Sequence, residues 1–213
     1  SRAGVHGGAW CTTRVRRERS RPSAATSVAS SRVGSRVPVG ASRPTGIAGH
    51  SVGEIAALVG AGVITAETGM SLVGVRGRAM ATAAANAEPT GMSAIIGGDE
   101  GEIVSRLAAL GLTPANMNGA GQIVAAGAMD ALAALSAEPP AGTRVIPLQV
   151  AGAFHTSFME PAVAALREAA SAVSPTDPIG TLWTNHDGSI VTSGATALDL
   201  LVGQVASPVR WDR

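Results

Sequence analysis

Gly49-His50-Ser51-Val52-Gly53 is a G-x-S-x-G pentapeptide, and a serine so flanked can act as a nucleophile. Gly46–Gly49 reads as the end of a buried strand, and Val52–Val59 as a helix start. Strand, sharp turn and helix are the context that lifts a serine hydroxyl clear of its neighbours, and bulky side chains two positions away would obstruct the turn. The helix points its N-terminal N–H groups and positive dipole end at the serine. The N–H of Val52 can then stabilise the oxyanion of a tetrahedral intermediate. The bland alternative is a structural Gly-Ser turn in a chain with 27 glycines. The flanking strand and helix favour the nucleophile. Adjacent residues on such a turn diverge, so His50 reads as a packed or capping histidine.

Two more residues could do chemistry. Arg76 lies three residues after Val73 and four before Met80, on a helical stripe that also carries Met70. Arg78 points elsewhere, to solvent. An arginine on a buried face needs an anionic partner, because unpaired burial of charge is very costly. Two readings are open: a structural pair with an internal acid, or a fork that grips a substrate carboxylate. His155 lies in Gly152-Ala153-Phe154-His155-Thr156, between a strand and a helix, where a general base is well placed. The alternative is a loop histidine that caps the helix. No Asp or Glu with strand-end context lies between Ser51 and His155 as the hydrolase order Ser–Asp–His demands, which leaves open that a group other than a carboxylate orients the imidazole.

The elements that must hold these residues are legible from Gly46 onward. Ala66–Ala85 is a long helix. Then follow a strand at Met92–Ile96, a helix at Glu100–Leu110, strands at Thr113–Asn118 and Gln122–Ala126, a helix at Asp130–Ala137 and a strand at Arg144–Val150. That βαββαβ order is the split arrangement of a ferredoxin-like subdomain. Met159–Val173 is amphipathic, with Met159, Val163, Leu166 and Ala170 in register. Thr181–Thr184 and Ser189–Val191 flank the turn Asn185–Gly188, and Ala195–Val205 is a last helix. The fold class is α/β, with a small subdomain inserted in a larger one. The expected division is 47–90 with 151–213 as the large part and 91–150 as the small one.

The bulk composition narrows the partners. The 213 residues are 46% hydrophobic and 15% charged, enough for a sizeable core. Nine of the 16 basic residues lie in 1–46 against the single acid Glu18, so the net +1 conceals an acidic body. That argues against nucleic acid as a partner. Cys11 is the one cysteine, which excludes an intrachain disulfide and suits a reducing, cytoplasmic setting. No apolar run reaches the length of a membrane span. Residues 1–46 are rich in Arg, Ser, Ala, Gly and Pro, and Ser20–Thr45 shows no periodicity. They read as a disordered basic arm or as non-native coding sequence.

Taken together, five stretches resemble the malonyl-CoA:acyl carrier protein transacylases, to which the acyltransferase domains of fatty acid and polyketide synthases are related. They are Gly49–Glu54, Val75–Met80, Asn116–Gly127, Gly152–His155 with Met159, and Gln204–Trp211. The resemblance implies an α/β-hydrolase-like large part with an inserted ferredoxin-like subdomain. It implies that Ser51 takes the malonyl group from malonyl-CoA, with His155 as base, and passes it to the phosphopantetheine thiol of acyl carrier protein. Arg76 would pair with the malonyl carboxylate, with Met80 and Phe154 also substrate-binding. The Gln204 backbone carbonyl would hold His155, and Val52 would be one oxyanion donor. No cofactor, metal, nucleic acid or membrane partner is implied.

The family's N-terminal G-Q-G-S-Q-like loop, source of the other oxyanion donor, is not found in 1–46. Its closing G-P-G-containing segment does not follow Trp211. The expectation is an incomplete large part and low activity, since one lost oxyanion donor typically slows such reactions by about 10²–10³. The competing readings are a serine esterase or thioesterase, and an inactive acyltransferase fragment.

Overall fold

In the computed structural model, residues 13–16 and 45–213 are described. The expectations for the rest of 1–46 lie outside the described residues. Two sheets organise the described residues. The first has the order β1-β2-β7-β8, from β1 (Thr13–Arg16), β2 (Gly46–Gly49), β7 (Thr181–Trp183) and β8 (Ile190–Val191). Strand β1 runs antiparallel to β2, β2 runs parallel to β7, and β7 and β8 form a hairpin. Helices α1 (Gly53–Gly60), α2 (Ala66–Asn86), α5 (Glu160–Ser171) and α6 (Gly194–Gly203) share one core with this sheet.

The second sheet has the order β6-β3-β5-β4-β9. Its strands are β3 (Thr90–Gly97), β4 (Thr113–Gly119), β5 (Gln122–Ala128), β6 (Thr143–Leu148) and β9 (Val209–Arg210), with helices α3 (Glu100–Ala109) and α4 (Met129–Ala137) in the expected βαββαβ order. Period-two alternation divides its faces. Ile95, Met117, Ile123 and Ala125 pack with Ile103 and Leu107 of α3 and Leu132 and Leu135 of α4. Met92, Ala115, Val124 and Ala126 turn the other way, onto Ala153, Phe154 and Phe158. That second face joins the sheet to the loop carrying His155. Strand β9 adds to β4 in parallel, with Asn116 opposite Val209 and Met117 opposite Arg210. The sequence reading assigned no strand there.

The ends of α2, α3 and α6 follow from their capping residues. The side chains of Thr65, Asp99 and Ser193 accept the N–H groups of Thr68, Glu102 and Thr196. The buried face of α2 differs from the expected stripe. It runs Gly69, Leu72, Arg76, Met80, Ala83, and Met70 is 56% exposed. The cause is a close helix contact. A Cβ on Gly69 would stand 2.7 Å from Val59 Cγ2, so α1 and α2 approach closely there and Val59 would have to shift to admit a side chain, while Met70 is turned outward. Similarly, Ala162, not Val163, occupies the buried face of α5. Among the described residues, no helix is long and apolar enough to cross a membrane.

Candidate active site

Ser51 sits between β2 and α1 with φ +53°, a left-handed conformation unusual outside glycine. The turn is closed by Gly53 N–H donating to His50 O (2.9 Å) and Glu54 N–H donating to Ser51 O (2.9 Å). Gly49 is required: a Cβ there would run into the backbone of Gly53 and Glu54. The strained elbow is pinned from outside by Asn185, in the turn after β7. Its Oδ1 accepts the Ser51 N–H (2.7 Å), and its Nδ2 donates to Gly49 O (2.6 Å). The Ser51 N–H is therefore committed. Val52, at the N-terminus of α1, presents a backbone N–H that lies before the first intrahelical acceptor.

His155 also has a left-handed backbone, φ +62°, and its N–H donates to Val205 O (3.1 Å). Its ring lies between two partners: Ser51 Oγ is 2.7 Å from Nε2, and Gln204 O is 2.8 Å from Nδ1. A carbonyl only accepts, so Nδ1 carries the hydrogen and Nε2 is left to accept the serine proton. Burial pushes the ring's pKa down to about 4. The Gln204 carbonyl opposes that shift, and the Arg76 charge adds to it. At neutral pH the imidazole is thus an unprotonated base within hydrogen-bond reach of the hydroxyl. Gln204 closes α6 and begins a 3₁₀ turn over Gln204–Ala206, which turns its carbonyl toward His155.

Arg76 is 8% exposed, and its Nη2 donates to Ser51 Oγ (3.1 Å) and to Gln204 Oε1 (3.3 Å). A buried cation thus touches the same oxygen as the base. Met80 lies one turn further along α2, buried in the core of the first sheet, and half-buried Phe154 bridges both cores beside His155. The His50 ring meets Asn118 Oδ1 (2.9 Å from Nε2) and stands edge-on to Trp211 at 5.4 Å. Ser51, His155, Arg76 and Gln204 converge, and His50 stands apart as a packed histidine.

Two residues of the cluster carry no role in the sequence reading. Glu54, one turn into α1, is only 3% exposed. Its Oε1 accepts the Asn185 N–H (2.8 Å), and its Oε2 accepts from Gln204 Nε2. Burial pushes its pKa up, opposed by donors from Asn185, Thr184 and Gln204 and by the Arg76 charge. Asn185 is the other. The signal that could have found Glu54 is its place three residues after Ser51, beside the buried Ile55.

Several proteins of known activity are similar to this chain. The malonyl CoA-acyl carrier protein transacylase of Mycobacterium tuberculosis H37Rv is 57% identical over 166 residues, which cover 78% of this chain and 55% of the relative. The enzyme of the same name from Escherichia coli K12 is 36% identical over 181 residues, covering 82% and 58%. The crystal structure of MCAT from Mycobacterium tuberculosis matches with a TM-score of 0.76 over 78% of this chain and 54% of that one. An acyl carrier protein S-malonyltransferase from Vibrio cholerae gives 0.76 at 34% identity, over 81% and 58%. The chain spans about half the length of the curated relatives it matches. The acyl transferase domain profile matches residues 31–211, and the chain belongs to that family.

Proposed function

We propose that this chain carries the acyl-exchange site of a malonyl-CoA:acyl carrier protein transacylase. The observation that supports it best is the Arg76 guanidinium, buried and 3.1 Å from Ser51 Oγ. An acyl group esterified to Ser51 that ends in a carboxylate would reach that cation, and a plain acyl group would leave it unused.

In the first half-reaction Ser51 Oγ attacks the thioester carbonyl of malonyl-CoA, and its proton passes to His155 Nε2. The developing oxyanion faces the Val52 N–H, since the Ser51 N–H is held by Asn185. The carbon–sulfur bond breaks, the CoA sulfur takes the proton from His155, and a malonyl-serine ester remains. In the second half-reaction the phosphopantetheine thiol of acyl carrier protein gives its proton to His155 and attacks the ester. Ser51 Oγ leaves with that proton. This is two-step covalent catalysis with ping-pong kinetics. The Gln204 carbonyl keeps the imidazole in the reactive tautomer, taking the place of a carboxylate as third member beside Ser51 and His155. Met80 and Phe154 would supply apolar walls. Both steps exchange one acyl group between nucleophiles and call for no cofactor.

The finer architecture belongs to the same reading. The order β6-β3-β5-β4 with α3 and α4 on one face supports a ferredoxin-like insertion over 91–150. The remainder, 47–90 with 151–213, would be the α/β-hydrolase-like part.

The test is mass spectrometry of the chain after incubation with malonyl-CoA. A malonyl ester on the peptide containing Ser51, removed by acyl carrier protein and absent in Ser51→Ala, is expected. A label that persists in Ser51→Ala would overturn the assignment.

A further inference from the structure

Glu54 is a buried carboxylate that the two half-reactions do not use. Taking such a group out of water costs several kcal/mol unless its lone pairs are met, and a well-packed apolar residue is often no worse for stability. Here they are met. The Asn185 N–H and Gln204 Nε2 donate to the two carboxylate oxygens, and the Thr184 hydroxyl lies against the same group. What these donors do next is the informative part. Asn185 holds the Ser51 N–H and Gly49 O, the two sides of the elbow. Gln204 Nε2 also donates to Ser51 O (3.0 Å), and Gln204 Oε1 accepts from Arg76. The carbonyl of the same Gln204 holds His155. One carboxylate thus fixes two residues that together orient nucleophile, base and guanidinium.

We propose that Glu54 is a positioning residue of acyl transfer, acting through Gln204 and Asn185 to aim His155 and Arg76 at the acyl group on Ser51. The malonyl half of this inference rests on the function proposed above; the serine–histidine half does not. Glu54→Gln preserves size but turns one acceptor oxygen into an NH₂ donor. That donor must face either the Asn185 N–H or Gln204 Nε2, both donors themselves, so one of the two is expelled. Gln204→Met removes the side-chain amide and keeps the backbone carbonyl. Misplacement of reacting groups by about 1 Å can slow chemistry by about 10²-fold.

Two readouts separate positioning from bulk stability. The first is the rate at which a small sulfonyl fluoride modifies Ser51, which needs no malonyl group. The second is the ratio of kcat/KM for malonyl-CoA to that for acetyl-CoA. Glu54→Gln should slow sulfonylation by about 10- to 100-fold and lower the malonyl-to-acetyl ratio. Gln204→Met should lower the ratio as well, and the double variant should lose little beyond the worse single one, since residues acting through one another are not additive. Unchanged sulfonylation in a folded Glu54→Gln, or full additivity in the double variant, would overturn the inference. Should Glu54→Gln lack a cooperative melt, Gln204→Met decides: a lowered ratio supports the path through Gln204, and an unchanged ratio overturns it. A parent chain that is sulfonylated on Ser51 yet takes no malonyl group would overturn the proposed function. The sulfonylation arm would then test Glu54 alone.

Discussion

Among the described residues, the apolar core beside the first sheet and the one under α3 and α4 enclose different things. Between α3, α4 and the second sheet, the buried apolar cluster is Ile95, Ile103, Leu107, Leu112, Met117, Ile123, Ala125, Leu132 and Leu135, and the polar side chains that this sheet buries, Ser93 and Asn116, are uncharged. Beside the first sheet, the interior also holds Glu54, Arg76, His155, Thr156, Thr184, Asn185 and Gln204. The first kind of core gains from each buried methylene and asks only for shape. The second spends burial on charged and polar groups whose net contribution to stability is small. The contrast teaches where function sits: one core holds a platform together, and the other holds an orientation. Substitutions in the two should therefore separate rate from stability.

The largest effect on rate is expected at His155. His155→Ala should slow transfer to and from Ser51 by about 10²–10⁴, the range for a lost general base, and His50→Ala should do far less. Single-turnover rates for the two variants check this, and a reversal of their order would break the distinction between the two histidines. The largest effect on stability is expected in the apolar core. Leu135, fully buried, should cost about 2–5 kcal/mol on change to Ala. The malonyl-to-acetyl ratio of the surviving folded fraction should stay unchanged. Denaturant melts and kinetics on the same preparation would show a breakdown of the comparison if the ratio moved.

A subtler effect separates the regions by pH. An ordinary histidine protonates near 6.5, whereas His155 is held down to about 4, first by burial and further by the Arg76 charge. In the free enzyme the base therefore stays unprotonated as pH falls through 6.5. The kcat/KM for acylation of Ser51 should hold across that range and decline only toward 4. A decline centred near 6.5 would mean that His155 is solvated when it acts. Glu54 bears on the reading of melts over the same range. Its folded pKa is raised, so its share of stability falls as pH climbs from 4.5 toward that raised value. His155 has the opposite sign, since the unfolded chain binds its proton first as pH falls below 6.5. Rates, not melts, isolate the base.

Much of this was legible in the sequence, for physical reasons. A nucleophile elbow has a glycine signature because backbone approaches backbone there, and the strands of the second sheet are short, mostly apolar runs punctuated by glycines and alternating with helical segments. Ser51, Arg76 and His155 were singled out from the residues themselves and Gln204 through the family resemblance, and the four meet in space. Glu54 was not, because an acid in the first turn of a helix is ordinarily a solvated partner of the dipole. Asn185 was hidden in Asn-His-Asp-Gly, which reads fully as turn chemistry. The Met70 stripe misled because apolar type was taken for burial, whereas the tight α1–α2 contact at Gly69 sets the rotation of α2. Strand β9 was missed because two residues paired only to a distant strand leave no local periodicity.

A buried guanidinium 3.1 Å from Ser51 Oγ should select a carboxylated acyl group, and Arg76→Ala tests that selection most directly. Removing one partner of such a pair costs about 2–5 kcal/mol, roughly 30-fold to several thousand-fold in rate. The measurement is kcat/KM for malonyl-CoA and acetyl-CoA in the parent chain and in Arg76→Ala. Malonyl transfer should fall by that factor while acetyl transfer holds or rises. Equal losses for both thioesters would contradict the account and make Arg76 a structural cation.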